Sequence, residues 1–232
     1  MRNALAILAM IVISASVSFG QAAAGKPATS AKPATAAPAT ATTAKPTAII
    51  DTAAGKMTCT LFPDKAPIGV ANFIGLASGT KDWKNPVSGA TKHGVPLYDG
   101  LIFHRVIPQF MIQGGDPAGT GSGADPVAPF KNEVSPDLLF DQPGRLAYAN
   151  AGPNTNASQF FITEVAFTGQ QASMLNGKYT IFGVVVEGLD VVSKINHIPV
   201  RGDKPVTPVK LIAVTIERVG PEPPPKKKKP LP

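Results

Sequence analysis

The sequence predicts a mainly β domain, an antiparallel barrel with helices at its ends. Two observations lead there. Apolar runs of strand length recur through the middle of the chain, separated by Gly- and Pro-rich turns. Only two stretches repeat at helical spacing. Many short strands beside so few helical stretches suggest an antiparallel barrel.

The first element is a hairpin. Ala48–Asp51 leads through a turn at Ala53-Ala54-Gly55 into Lys56–Phe62, where Met57, Cys59 and Leu61 alternate with polar residues. That alternation is the mark of a half-buried strand pair. Pro63 to Pro67 ends it, and Pro67 suits a first helical turn. Val70, Phe73, Ile74 and Leu76 then follow at helical spacing up to Gly79. Residues 81–96 are polar and carry Pro86, Gly89 and Gly94, so they read as a surface loop, with Trp83 and His93 in local packing or facing solvent.

A second hairpin runs from Leu101 to Gly114 around Pro108. Strict alternation puts Leu101, Phe103 and Arg105 on one face and Ile102, His104 and Val106 on the other, with Met111 and Gln113 sharing a face on the return strand. An Arg among large apolar groups needs a partner or a purpose, because Arg is seldom buried alone. Residues 114–129 form a Gly- and Pro-rich loop. Gly119, Gly121 and Gly123 lack the spacing and the following Lys-Ser/Thr of a phosphate loop, so they read as positions needing positive φ. Further strands are expected at Arg145–Ala149, Gln159–Thr163, Thr180–Val186 and Val209–Val219, and a second short helix at Leu189–Ile195 after Gly188.

The ends of the chain differ in kind from the middle. Residues 1–20 carry one early charge, Arg2, an apolar run from Ala4 to Val17 and then small residues, the pattern of a signal peptide too short to span a membrane. Cleavage is expected after Gly20 or Ala24, and the protein is expected to be exported, to the periplasm or the medium. Residues 21–47 are Ala, Pro, Thr and Lys without a bulky apolar side chain, so they are expected to be a disordered tether. Residues 220–232, with three consecutive Pro and four consecutive Lys, read as a disordered basic tail. The domain itself is placed at 48–219.

The net charge of +7 comes wholly from those ends, because residues 48–219 hold fourteen basic and fourteen acidic side chains. A neutral domain argues against a nucleic-acid groove, and Lys226–Lys229 are expected to make at most weak contact with an anionic surface. The lone Cys59 has no partner for an internal disulfide, and no Cys/His cluster suggests a metal, so neither metal nor cofactor is expected.

Three motifs are more specific than any pattern. They are Phe103-His104-Arg105-Val106-Ile107-Pro108 with Phe110-Met111-Ile112-Gln113-Gly114-Gly115-Asp116, then Ala149 through Phe161, then Leu175-Asn176-Gly177-Lys178-Tyr179-Thr180-Ile181-Phe182-Gly183. Together they resemble the cyclophilin family of peptidyl-prolyl cis/trans isomerases, over residues 48–219 and in order. The resemblance implies a closed eight-stranded antiparallel β-barrel capped by two α-helices, with a substrate groove on its outer face. It implies proline-containing polypeptides as partners and chemistry that requires no cofactor; no nucleic acid and a monomer are expected.

By position, it makes Arg105, Gln113 and His104 the catalytic group, with His104 in support. Phe110, Met111, Ala149, Asn150, Gln159, Phe161, Met174, Leu175 and Tyr179 would bind substrate. Two positions depart from well-known members: Met174 stands where they carry Trp, and Tyr179 where they carry His. The segment 163–173 is also longer than in those members, and 81–96 is an insertion. A binding module for Pro-containing segments without catalysis is the competing reading, and the presence of Arg105 favours the enzyme.

Overall fold

In a computed structural model the described residues are 45–217. The expected signal peptide, nearly all of the tether and the basic tail lie outside them. Within them the chain forms twelve strands and three helices. The first strand, β1 (Thr47–Thr52), pairs with β2 (Gly55–Leu61) in the expected hairpin. The pairing reaches back beyond Ala48, since the Pro46 carbonyl accepts the Leu61 N–H at 2.9 Å. Met57, Cys59 and Leu61 are fully buried, and burial pushes the Cys59 thiol up to about 12.

Helix α1 (Pro67–Ala77) opens on Pro67, as Pro at a first turn predicts. Its N-cap, Ala66, has no side chain able to cap. The Glu133 carboxylate does so instead from a distant loop, accepting the N–H groups of Ile68 and Gly69 at 2.9 and 2.7 Å. In the 81–96 segment, Trp83–Lys84 (β3) and Thr91–Lys92 (β4) make a small ribbon. Trp83 is buried and donates its indole N–H to the Val95 carbonyl at 2.9 Å.

The remaining strands are β5 (Arg105–Ile107), β6 (Met111–Gly114), β7 (Arg145–Tyr148), β8 (Phe160–Thr163), β9 (Ile181–Glu187), β10 (Val200–Arg201), β11 (Lys204–Pro205) and β12 (Leu211–Glu217). Helices α2 (Gly169–Leu175) and α3 (Leu189–Asn196) lie on either side of β9 in sequence. Eight strands make one antiparallel sheet in the order β12-β1-β2-β9-β7-β8-β6-β5.

Its outer strands do not pair along their length. They meet where Ile102 bridges Lys210, with the Phe103 N–H on the Val209 carbonyl at 3.0 Å and the Leu211 N–H on the Leu101 carbonyl at 2.8 Å. The sheet is thus a rolled half-barrel pinned at its seam, and a fully closed barrel overstates it. The reason is local. The β10–β11 ribbon occupies the free edge of β5, taking the Val106 N–H on the Asp203 carbonyl at 2.8 Å.

The count of two helices is corrected as well. The third, α2, buries none of its residues, so it leaves no helical stripe in the sequence, and Thr168 at its N-cap makes no side-chain capping bond. Alternation also fails before β5. Regular strand geometry begins only at Arg105, and Phe103 turns inward to join Val106 and Ile112 rather than sharing the face of Arg105.

The sheet has apolar packing on both sides. Inside, Phe73 of α1 meets Tyr98, Phe160 and Phe182 at centroid distances of 5.0, 5.7 and 5.1 Å, and α3 adds Val191, Val192 and Ile195. Outside, a second cluster gathers Phe62, Met111, Phe140, Ala147, Phe161, Phe167 and Ile181. Leu146, Ala147 and Tyr148 of β7, and Phe160, Phe161 and Ile162 of β8, alternate between the two clusters, so both faces of these strands are buried. The outer cluster floors the site.

Candidate active site

The β5–β6 register decides which side chains share the outer face. Arg105 stands opposite Gln113 and Ile107 opposite Met111, while Gln113 in turn faces Phe161 on β8. Three adjacent strands therefore deliver Arg105, Gln113, Met111 and Phe161 to one patch. The turn between β5 and β6 adds Phe110. The segment after β7 adds Ala149 and Asn150, and the end of α2 adds Leu175, followed by Tyr179.

These nine residues line a pocket that opens to solvent. Its wall is apolar and aromatic apart from Arg105, Gln113 and Asn150. Aromatic stacking holds the wall in place. Phe140 lies under Phe161 at 5.6 Å and 22°, Phe167 stacks on Phe110 at 4.9 Å and 27°, and Tyr179 meets Phe161 edge-on at 5.7 Å. Phe140 and Phe167 escaped the sequence reading. Each is an isolated Phe in an irregular segment, and nothing local marks it as support for a pocket.

The turn itself is braced from outside the hairpin. Gln109 has a φ of 59°, a left-handed conformation that a non-Gly residue adopts only under constraint. Its N–H is shared between Glu164 Oε2 at 2.9 Å and Asn196 Oδ1 at 2.8 Å. Asn196 also donates to the Ile107 carbonyl at 2.9 Å. These contacts set where Phe110 projects.

Arg105 is half-exposed at the rim. Its Nε donates to Asp203 Oδ2 at 2.6 Å, and its Nη1 lies 3.4 Å from Gln113 Oε1. The Gln113 amide passes the chain on, donating to Gln159 Oε1 at 3.0 Å. Arg105 holds the Asp203 carboxyl below the usual carboxylate range. Asp203 was not among the residues marked from the sequence. It lies in a Gly-Asp turn that reads as solvent-facing, and only its place beside β5 gives it a partner.

The other marked residues divide. Gln159 lines a second cavity that adjoins the first through Gln113, Ala149 and Asn150 and extends along Gly121, Ser122, Gly123 and Asp125. Met174 does not reach the first cavity. It is 59% exposed and sits in a groove beyond Phe110 and Leu175. His104 lines neither. It is buried behind Arg105, with no hydrogen-bond partner for either ring nitrogen, and a side chain on Gly121 would meet its ring at 3.0 Å. Burial lowers its pKa, with the Asp116 charge opposing and the Arg105 charge adding to that effect. Asp116 holds the loop above it, accepting the N–H groups of Ala118, Thr120 and Gly121 at 2.9, 2.8 and 2.7 Å.

Residues 47–216 match the family model described as cyclophilin type peptidyl-prolyl cis-trans isomerase/CLD. The chain is 47% identical over 173 residues to peptidyl-prolyl cis-trans isomerase A of Mycobacterium tuberculosis, covering 73% of this chain and 91% of that one. It is 45% identical over 174 residues to peptidyl-prolyl cis-trans isomerase B of Streptomyces anulatus, covering 73% and 95%. Among solved structures, a cyclophilin type isomerase of Cryptosporidium parvum, crystallised in the presence of the dipeptide Ala-Pro, matches with a TM-score of 0.62 and 31% identity over 75% of this chain and 99% of that one.

Proposed function

The chain belongs to the cyclophilin family and is a peptidyl-prolyl cis-trans isomerase, and we propose that it turns Xaa-Pro bonds by presenting Arg105 to the twisted amide over an apolar proline pocket. The observation that carries this is the placement of one guanidinium at the rim of a cavity whose apolar wall includes Phe110, Met111, Phe161 and Leu175. A proline ring is small and apolar, and that wall offers it contact on several sides.

The chemistry needs little else. Rotation about a peptide bond has a barrier of roughly 18–20 kcal/mol because it breaks amide resonance. For Xaa-Pro the uncatalysed step takes on the order of tens to hundreds of seconds. Twisting localises the lone pair on the prolyl nitrogen. A donor held near that nitrogen bonds the twisted state more strongly than the planar one, which lowers the barrier. Gln113 steadies the guanidinium, while the backbone of Asn150 and the side chain of Gln159 hold the substrate chain on either side.

We propose further that the substrates are exported proteins. Residues 1–20 have the make-up of a signal peptide, and residues 21–47 that of a tether. A protease-coupled assay on a short Xaa-Pro peptide tests the first proposal, and a rate equal to the uncatalysed one would end it. N-terminal sequencing of the natural protein tests the second. Met1 retained on protein from a cytoplasmic fraction would overturn export.

A further inference from the structure

The turn joining β10 and β11 carries a carboxylate to the edge of the site. The Asp203 carbonyl accepts the Val106 N–H at 2.8 Å, so backbone alone docks the turn on β5. From that base the Asp203 carboxylate reaches Arg105 Nε at 2.6 Å. The neighbouring arm, Nη1, faces Gln113 Oε1 at 3.4 Å. A guanidinium is a rigid planar fork. Held at Nε, it keeps its plane fixed about the end of a flexible side chain, and its remaining N–H groups point where that plane directs them. Without the carboxylate, Gln113 alone would restrain it, through a contact at the long limit of a hydrogen bond.

We propose that Asp203 is a positioning residue of the isomerase, fixing the plane of Arg105 so that its free N–H donors face the proline pocket; this rests on Arg105 being the group that meets the twisted bond. Stability does not explain the pair. Both side chains are about half exposed, at 42% and 53%, and exposed ion pairs add little to folding. Orientation is what the contact supplies. A donor already aimed at the reacting nitrogen costs no reorganisation when the bond twists.

The test compares Asp203→Ala, Asp203→Asn and Asp203→Glu in the full chain with native protein, Arg105→Ala and the double variant Arg105→Ala/Asp203→Ala. Turnover is read on a short Xaa-Pro peptide, beside a thermal melt and the NMR signal of the Arg105 Nε–H. Asp203→Ala is expected to lower kcat about tenfold with KM within about twofold, as the loss of a charge-assisted hydrogen bond predicts. The melt stays in place, the Nε–H signal loses its hydrogen-bonded shift, and Asp203→Asn and Asp203→Glu recover part of the rate. On the Arg105→Ala background, Asp203→Ala costs nothing more. Native or raised kcat in Asp203→Ala overturns the inference, as does an equal loss with and without Arg105. Native turnover in Arg105→Ala would instead remove the catalytic reading of Arg105, a separate failure that the same series identifies.

Discussion

Arg105 and Gln113 face each other as a cross-strand pair of β5 and β6, and the Arg105 Nη1 lies 3.4 Å from the Gln113 Oε1. The pairing register puts both on the outer face beside the aromatic wall, so the one cationic group of the cavity cannot move away without breaking its contact with Gln113. Replacing Arg105 therefore removes chemistry and leaves the core untouched. Arg105→Ala should cut kcat/KM by on the order of 10²–10³-fold, as the loss of one aimed donor does elsewhere. Its unfolding free energy should stay within about 0.5 kcal/mol of native. Arg105→Lys should recover little, because an ammonium lacks the planar fork. Peptide turnover and urea unfolding on the same preparations check both halves.

Asn196 lies far from the pocket in sequence, yet it holds the turn that presents Phe110. Asn196→Ala takes away an acceptor for the Gln109 N–H and a donor to the Ile107 carbonyl. The variant should lose roughly 1–3 kcal/mol of stability. It should raise KM more than it lowers kcat, since it loosens a wall and leaves Arg105 in place. Steady-state kinetics beside urea unfolding would show this, and an unchanged KM would count against the turn as a determinant of the pocket.

Leu175 and Met174 are neighbours with different surroundings. Leu175 lines the cavity, whereas Met174 is exposed in the groove beyond it. Leu175→Ala should raise KM for a short prolyl peptide several-fold, at about 0.8 kcal/mol for each CH₂ removed from contact. Met174→Ala should stay within about twofold of native on the same peptide. The reverse ranking would show that α2 sits differently over the groove.

His104 gives stability a pH dependence. Burial, the largest cause, keeps its folded pKa below the ordinary value, which the unfolded chain retains at about 6.5. Below that point the unfolded state binds more protons than the folded one, so stability is present above about pH 6.5 and declines as pH falls toward the lower folded value. His104→Gln should flatten the profile in that window. Asp203, whose carboxyl is held low by Arg105, acts separately and only in the carboxylate range. Urea unfolding at three pH values between 5.5 and 7.5 checks the slope.

Gly188 sits between β9 and α3 with a φ of 86°, and a Cβ there would stand 2.3 Å from the Lys56 carbonyl oxygen. That neighbour is backbone and cannot swing aside. Gly188→Ala should thus cost more than the roughly 1–3 kcal/mol of a strained backbone position alone. A variant with a native melting temperature would mean that the β9–α3 junction can shift without loss.

What the sequence determined by itself was whatever lies within one element or one motif. Alternation at Met57, Cys59 and Leu61 specified a strand and its buried face, and Pro67 with the spacing after it specified α1, because each side chain's direction follows from the local backbone period. The motif residues Arg105, Phe110, Met111, Gln113, Ala149, Asn150, Phe161, Leu175 and Tyr179 do converge on one cavity. Tertiary structure decided the rest. Asp203 reaches Arg105 only because a ribbon docks on the edge of β5, and the same docking keeps the sheet from closing. Phe103 turns inward because its backbone departs from strand geometry before Arg105, and Gln109 keeps a left-handed φ because Glu164 and Asn196 share its N–H. No local period records such contacts. They join residues tens of positions apart, and each depends on how elements pack once their faces are already set.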